Sequence, residues 1–471
     1  ARAMVEALLR GAHPDPEDPQ QPGPRPPIRP MKIPSETKSS KSRSLRPILR
    51  NTIQVVMLGH DAIGFPIRGG EQRSHWIHRI YLDHAEAWNL DVVHRHDPRF
   101  LAAFRPRKRG LRAALSPIEA WIRRTPLALS RDLGRRPKTA ARLRDRLEED
   151  RRRIAAAHIV HFEHPFAYPF FEDRLVGKRI VYSSHNIESL TLLDYFGSDG
   201  ARRFGKGRLA EGPLSGEARR LLARMARVEA ILVRRSDLVL ACTEEDARHY
   251  REIGAREVCV APNGATPVPK AGVRSETVPP FERHALFVSS DWRPNAAALV
   301  RFCGDLDLPA GRGLVCAGTI GDSTHPGFER LRANASISFV GPVDASRLAA
   351  LVRGARTLIV PAQDSAGGSN IKTAEALLSG KPVVMTPAAL RGYEAFSDSP
   401  GVRVRETPAG FQKQIAADLE DGERTHLRPG VEALAWPRAL APAREALRRL
   451  VAEARAEVGA GDDGLEHANR L

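Results

Sequence analysis

Cysteine is scarce in this sequence. Only four of the 471 residues are cysteines, and no two of them form a C-x-x-C pair. They lie within or beside apolar runs, at Cys242, Cys259, Cys303 and Cys316. This pattern argues against a disulfide-rich scaffold and against a zinc site, so we expect buried free thiols in a reducing cytoplasm.

Long apolar runs and aromatic residues are also lacking. No stretch approaches the roughly 18 uninterrupted apolar residues that identify a transmembrane helix. The N-terminal segment is polar and Pro-rich, so the sequence predicts no signal peptide. Aromatic residues make up 6% of the chain and are not interleaved with the basic clusters, so we expect no nucleic-acid partner.

Acidic residues are outnumbered by basic ones, 56 to 73, which gives a net charge of +17 and a pI near 10.3. Such a field favours polyanionic partners, including an anionic membrane face or a phosphorylated substrate. An Arg-rich composition also accompanies a GC-rich genome. Charge alone therefore does not choose among these partners.

The length allows two ordinary domains with tails. Residues 12–48 hold ten of the 36 prolines, so we predict a disordered tail or linker over 1–50. Strand and helix patterns alternate through 51–270 and again through 271–437, with a linker near 266–280. A helix and a frayed tail are predicted over 438–471.

An Arg-rich insertion over 99–153 interrupts the first of these domains. Its helical patches carry apolar residues on one face and Arg on the other. Such a helix could lie on an anionic membrane surface, which would place the protein in the cytoplasm and at the inner face of the membrane. The alternative is a solvated helical insertion.

A short strand precedes the first of two glycine pairs in the sequence. TIQVVMLG (52–59) predicts a buried strand, and Gly69 and Gly70 follow it just before an amphipathic helix. The next strand is predicted at 90–97. Ligands of doubly wound domains bind at the carboxyl ends of such strands, although the glycines alone are also compatible with a plain flexible loop.

The most informative stretch of the sequence, called the central stretch below, is DSAGGSNIKTAEALLSGKPVVMT, residues 364–386. Gly367 and Gly368 allow a tight turn and a close approach of the backbone to a ligand. Ser369 or Asn370 can cap the helix that follows. The pattern predicts a strand end, a glycine loop, a helix and a second buried strand.

A capped helix behind a Gly-Gly loop offers free N–H groups and a positive dipole end to an anion. Lys372 adds a full charge, and Glu375 could accept hydrogen bonds from a sugar hydroxyl. The alternative is an ordinary strand–loop–helix unit with no ligand. His185 directly follows the strand KRIVYSS (178–184), where a substrate would lie, although a histidine taken alone is more often structural.

Several motifs together resemble family-four glycosyltransferases, retaining enzymes of the GT-B fold. They are the central stretch, His185-Asn186-Ile187-Glu188, the Pro-Asn-Gly of 262–264 and the strand–loop–helix HALFVSSDWRPNAAALVRF of 284–302. The resemblance covers roughly residues 52–450. It implies an α/β protein with two doubly wound Rossmann-like domains that face each other across a cleft. It also implies that the helix predicted from residue 438 is a return helix, which crosses back onto the N-terminal domain.

The resemblance also assigns roles at the donor site. Glu375 would hold the ribose, Gly69 and Gly70 would approach the diphosphate, and His185 would lie near the transferred sugar. The remaining donor-binding candidates are Gly318 at the nucleobase, Gly367, Gly368, Ser369, Asn370 and Ile371.

Two departures from the family pattern are visible. Many members carry an acidic residue where this chain has Gly367, so the E-x7-E pair is incomplete. Ser290 occupies the position of a usual Arg, so we expect Arg293 or Lys372 to supply the counter-charge to the diphosphate.

The predicted activity is transfer of a sugar from a nucleotide-sugar donor to a glycan, a lipid-linked acceptor or a small molecule. The resemblance implies no cofactor and no required metal. Members of the family build capsules, lipopolysaccharides, glycolipids and small glycosides. The alternatives are a sugar-nucleotide epimerase on the same fold and a non-catalytic binding or scaffold protein.

Overall fold

A computed structural model describes residues 53–59, 69–91, 150–188, 191, 216–267, 281–363, 368–421, 426 and 428–468. The predicted tail 1–50 lies outside the described residues. So do residues 99–149 of the insertion and residues 268–280 of the predicted linker.

Six parallel strands form the sheet of the N-terminal half. They are β1 (Gln54–Gly59), β2 (Glu86–Asp91), β3 (Ile159–Phe162), β4 (Arg179–Ser183), β5 (Leu238–Ala241) and β6 (Val258–Val260). Their order across the sheet is β2-β1-β3-β4-β5-β6. The central strands β3 and β5 are buried along their whole length, as a parallel sheet covered on both faces requires.

The second sheet forms the C-terminal half and is also fully parallel. Its strands are β7 (Arg283–Val288), β8 (Arg312–Ala317), β9 (Ile337–Gly341), β10 (Thr357–Val360), β11 (Val383–Met385) and β12 (Val402–Val404). Their order is β12-β11-β10-β7-β8-β9. This is the order of a dinucleotide-binding Rossmann sheet, with its reversal between β7 and β10.

The helices follow the strands in turn. The α-helices are α1 (Gly69–Leu82), α2 (Tyr168–Phe171), α3 (Gly216–Arg235), α4 (Glu244–Glu252), α5 (Arg293–Cys303), α6 (Phe328–Arg332), α7 (Ala345–Gly354), α8 (Ile371–Leu378), α9 (Pro387–Leu390), α10 (Pro408–Glu420), α11 (Trp436–Ala439) and α12 (Ala441–Ala468). Short 3-10 helices span Pro165–Ala167, Glu172–Arg174, Thr319–Asp322, Glu394–Phe396 and Val431–Leu434. Among the residues that the structure describes, no helix combines the length and the apolar composition needed to cross a membrane.

The sequence accounts for many helix ends. The side chain of Thr243 accepts a hydrogen bond from the backbone of Asp246 at the start of α4, and Asp344 caps α7 in the same way. Asn370 rather than Ser369 caps α8, because its side chain accepts from the backbone N–H of Lys372.

The second strand begins earlier than predicted. It was expected at 90–97, whereas β2 spans Glu86–Asp91, and residues 92–97 lie outside the described residues. Leu90, Val92 and Val93 favoured the later start. As an edge strand, β2 pairs on one side only, so it needs no continuous apolar run.

The C-terminal helix returns to the N-terminal half, as the sequence predicts. Its residues Ala443, Leu447 and Val451 join the same apolar cluster as Val55 and Met57 of β1. Trp436 already belongs to that cluster, so the return begins before residue 438. The helix also continues to Ala468, where a frayed tail was expected.

Trp436→Ala is expected to lower the free energy of unfolding of the N-terminal half by about 3–5 kcal/mol, because a large apolar side chain leaves a cavity. Trp436 is 0% exposed. Trp292, which is 39% exposed, is the matched control, and Trp292→Ala should cost less than about 1 kcal/mol. Urea unfolding followed by circular dichroism measures both. Equal losses would contradict this account of the return helix.

Candidate functional site

The two sheets each have one edge where all the strands end. In each sheet the strand order reverses between two neighbouring strands, β1 and β3 in the first and β7 and β10 in the second. Crevices at such reversals are where doubly wound sheets bind ligands. The predicted site residues follow these strands, so the fold gathers them at this edge.

A buried carboxylate, Glu163, lies directly after β3 at the first reversal. It accepts hydrogen bonds from Ser74 Oγ at 2.7 Å, His161 Nε2 at 2.7 Å and His185 Nε2 at 2.6 Å. Burial alone would raise the pKa of this carboxyl, but the hydrogen bonds from the two histidines hold it well below its usual value. Glu163 is therefore ionised inside the domain.

His185 follows β4, where the sequence predicts it, and is 8% exposed. Its ring stacks on that of His164 with 4.4 Å between centroids, and His164 Nδ1 lies 2.8 Å from Glu188 Oε1. Burial and the neighbouring His164 lower the pKa of His185, against the opposing effect of Glu163. His185 is thus neutral near pH 7.

Arg73 of α1 is fully buried beside the turn that follows β6. Its Nη1 donates to the carbonyl of Ala261 at 2.8 Å and to Asn263 Oδ1 at 3.2 Å. A buried guanidinium orients rigidly only when such acceptors hold it. It fixes the Pro-Asn-Gly turn that closes this half.

Asn263 joins the two halves of the molecule. Its Nδ2 donates to the carbonyl of Ser369 at 2.9 Å, and its own carbonyl accepts from Tyr393 OH at 3.0 Å. The sequence predicted a turn here. The structure adds that the turn carries the contact between the domains.

The loop before α8 lies against the N-terminal half beside His185. Gly368 has φ +72°, and a Cβ there would lie 2.4 Å from the carbonyl oxygen of His185 and 2.4 Å from Asn186 Oδ1. Only glycine fits this approach. Gly367, the predicted neighbour in the loop, lies outside the described residues.

Asp246 holds the same loop from the opposite side. Its Oδ2 accepts from the backbone N–H of Gly368 at 3.1 Å, and its Oδ1 accepts from Arg391 Nη2 at 2.8 Å. Burial raises the pKa of Asp246, and Arg391 opposes that rise. A buried pair of this kind holds two surfaces in register, because separating them leaves a charge without its partner.

Glu375 of α8 reaches back to the first helix. A hydrogen bond from Gln72 and the charge of Lys372 oppose the effect of burial, which nevertheless raises the pKa of Glu375. Gln72 also accepts from Trp436 Nε1 at 3.2 Å. Ile371 at the start of α8 packs against the apolar cluster of the N-terminal half. The structure therefore brings Glu375 and Ile371 close to α1, which begins with Gly69 and Gly70.

Lys372 points towards the loop after β7. Its Nζ donates to Asn295 Oδ1 at 3.2 Å, and Asn295 lies in the first turn of α5, two residues after Arg293. The two candidate cations therefore flank the amino end of α5. Gly318 lies at the base of the same loop, where a Cβ would come 2.2 Å from the carbonyl oxygen of Ser289. No described contact joins Gly318 to α8.

Sequence reasoning missed Glu163, Arg73, Asp246 and Arg391. The missed signal for Glu163 is the alternation His161-Phe162-Glu163-His164 at the end of an apolar strand, since charged residues at that edge face ligands. Asp246 and Arg391 are 145 residues apart, and no local pattern links them. Among the described residues, no group of three His, Cys, Asp or Glu side chains could hold a metal ion.

Comparison with known proteins identifies two family models. Residues 112–267 match Glycosyltransferase Family 4, and residues 286–421 match Glycosyl transferases group 1. The two matches together span more than half of the chain. No curated protein matches this chain in sequence.

Solved structures with the same architecture include HepE from Anabaena in complex with UDP and glucose. It is 14% identical, the alignment covers 86% of this chain and 100% of that chain, and the TM-score is 0.50. The sucrose-phosphate synthase of Thermosynechococcus elongatus is 13% identical, with 88% and 100% covered and a TM-score of 0.49. At this identity, the likeness to HepE shows the GT-B fold.

Gly368→Ala is expected to separate the two halves, because its Cβ would overlap backbone and side-chain atoms of His185 and Asn186. The matched control is Gly341→Ala, which has a similar φ of +70° but nothing within 4 Å. In both variants an alanine must adopt a left-handed backbone conformation, which costs about 1–2 kcal/mol of stability. Only Gly368→Ala should increase the radius of gyration in small-angle X-ray scattering, and an increase in both would argue against the close-approach explanation.

Proposed function

The chain belongs to glycosyltransferase family four, and we propose that it moves a sugar from a nucleotide-sugar donor to an acceptor hydroxyl with retention of configuration. The acceptor in this proposal is a glycan, a lipid-linked molecule or a small molecule. The nucleotide binds the C-terminal half and the acceptor binds the N-terminal half.

The main observation behind the proposal is that residues 368–375 lie beside His185 and α1. Gly368 meets the backbone of His185, and Glu375 meets Gln72 on the first helix. The donor candidates of one domain therefore share one crevice with the sugar-site candidate of the other. A two-substrate transfer needs its donor and acceptor groups held together in this way.

Positive charge at the crevice supports the departure of a nucleoside diphosphate. Arg293 and Lys372 lie at the amino end of α5, and α1 and α8 also begin at this edge. Helix N-termini and cations stabilise the negative charge that develops on a leaving diphosphate. The proposed reaction therefore uses protein cations and requires no bound metal.

Retention is proposed without a covalent enzyme intermediate. Glu163 is the buried carboxylate next to His185, but three hydrogen bonds already occupy it. A carboxylate stabilised in this way is a weak nucleophile, as its lowered pKa indicates. We assign catalysis to positioning of the substrates and to electrostatic stabilisation.

An anionic membrane surface remains our proposed docking partner at the inner face of the membrane. The net charge of +17 supports it. Most of the insertion that would carry this contact, residues 99–149, lies outside the described part of the chain. A lipid-linked acceptor would then meet the enzyme at that surface.

Glu375→Ala is expected to weaken donor binding by about 10- to 100-fold, because a bound ribose loses a charged hydrogen-bond acceptor. Thermal shift and calorimetry with UDP-, GDP-, ADP- and TDP-sugars measure this, with UDP-sugars tested first because HepE was solved with UDP. Glu329→Ala, at a carboxylate that is 89% exposed, is the control and should bind as the wild type does.

Three outcomes of this screen separate the proposed function from its alternatives. Acceptor-dependent release of nucleoside diphosphate supports transfer, and product NMR then reports the anomeric configuration. Turnover of the donor without an acceptor, leaving the diphosphate attached, would indicate an epimerase. No binding at millimolar ligand by folded protein would favour a scaffold.

Lys372→Ala is expected to weaken binding of the nucleoside diphosphate more than binding of the matching monophosphate, because the lost charge faces the second phosphate. Arg293→Ala should behave likewise if both cations contribute. Lys413→Ala, at an exposed lysine on α10, is the control for charge removal. Calorimetry gives the two affinities, and equal losses for both nucleotides would place Lys372 away from the diphosphate.

A further inference from the structure

We propose that Glu163 is a positioning residue that holds His185 as its Nε2–H tautomer, so that Nδ1 accepts a hydrogen bond from a hydroxyl of the donor sugar. The inference rests on the proposed function, because that hydroxyl belongs to the transferred sugar. It gives the direction of one hydrogen bond at the site, in which His185 accepts from the substrate and does not donate to it.

The directions of the hydrogen bonds follow from the chemistry of the groups. Glu163 is an ionised carboxylate, and a carboxylate only accepts. His185 Nε2, 2.6 Å from Glu163 Oε2, must therefore carry the proton of that bond. In a neutral ring the other nitrogen, Nδ1, then holds a lone pair and can only accept.

The neighbours of Glu163 enforce the same arrangement. Tyr81 OH lies 2.9 Å from His161 Nδ1, and burial raises the pKa of Tyr81 well above its usual value, so this hydroxyl is protonated. Because Glu163 can only accept, His161 Nε2 donates to its Oε1 at 2.7 Å, and the Tyr81 hydroxyl can then donate to His161 Nδ1. These directions agree with the one assigned to His185, since both histidines donate through Nε2 to the same carboxylate.

The ring of His185 is held on two sides. Glu163 accepts from its Nε2 edge, and the ring of His164 lies against it with 4.4 Å between centroids and 37° between the ring planes. The two ring nitrogens point in roughly opposite directions, so fixing Nε2 inside the domain directs Nδ1 away from Glu163. The backbone carbonyl of His185 meets Gly368, which places this residue at the boundary with the donor-binding half.

A first measurement needs no substrate. Long-range proton–nitrogen NMR of protein labelled with 15N-histidine reports the tautomer of each ring, and His185→Asn assigns the signal. We expect the Nε2–H form of His185 in the wild type. The Nδ1–H form would overturn the proposal even if nucleotide-sugar turnover is found.

The second measurement tests the positioning role. Glu163→Gln has one accepting oxygen where the carboxylate has two, so it cannot accept from both His161 and His185. We expect kcat to fall about 10- to 100-fold with a smaller change in KM, and the pKa of His185 to fall because the nearby negative charge is gone. Glu163→Asp, which keeps a carboxylate, should recover part of kcat. A wild-type kcat in folded Glu163→Gln would overturn the proposal.

Glu229→Gln is the matched control, since Glu229 is a buried carboxylate that accepts from Tyr182 and Tyr250 without touching His185. It should lose stability as Glu163→Gln does but leave the His185 NMR signal unchanged. If the tautomer of His185 changed in this control too, loss of a buried carboxylate elsewhere would be enough to change it. The assignment of the tautomer to Glu163 would then be wrong.

The third measurement tests the polarity of the contact with UDP-glucose analogues, or with those of the donor that the screen selects. At one sugar position, deoxy and deoxyfluoro analogues should lose rate equally, because neither can donate to Nδ1. The loss at that position should vanish in His185→Ala. A fluoro analogue that retains its rate where the deoxy analogue does not would overturn the proposal. Absence of any turnover by the wild type would instead reject the proposed function.

Discussion

The direction of the strands is the constraint on which the site depends. In each half, all six strands run parallel, so their carboxyl ends and the loops that follow lie on one edge. Glu163 and His185 leave that edge of the first sheet, while the loops of Arg293 and Gly368 leave that edge of the second. When the two edges face each other, residues more than a hundred positions apart become neighbours without any special local sequence.

Buried charges give this crevice its rigidity. Glu163 and Arg73 are both 0% exposed, and each would be costly inside a protein if it lacked hydrogen-bond partners. Three donors surround the carboxylate, whereas the guanidinium is held at Nη1 alone, by a carbonyl and a side-chain amide, and its Nε and Nη2 have no hydrogen-bond partner among the described residues. Such groups contribute little net stability, but they allow few alternative arrangements of the residues around them.

The parts of the fold with local causes could be read from the sequence. The left-handed glycine at 368, the cap at Asn370 and the stop at Gly380 all depend on residues within a few positions of each other, and the structure has them. Helix α12 was predicted too short, because Gly459 and Gly461 are normally read as a helix end, at about 1 kcal/mol each relative to alanine.

The parts with distant causes could not be read in this way. A hydrogen bond joins Tyr81 to His161, 80 residues away, and an ion pair joins Asp246 to Arg391, 145 residues away. No local sequence pattern in these segments predicts either contact. The position of His185 after a strand could be predicted, and its expected role came from the resemblance of residues 185–188, but Glu163, which contacts its ring, follows a different strand.

The return of the C-terminal helix has a consequence for how the chain is made. The apolar cluster around β1 contains Trp436, Leu447 and Val451, so the first sheet cannot complete its core from its own residues. During synthesis, the N-terminal half must wait for more than 150 further residues to leave the ribosome before this face is covered. Domains normally fold in order as they emerge. Of the two halves, the one that is translated earlier therefore completes its core later, and its apolar face around β1 stays uncovered in the interval.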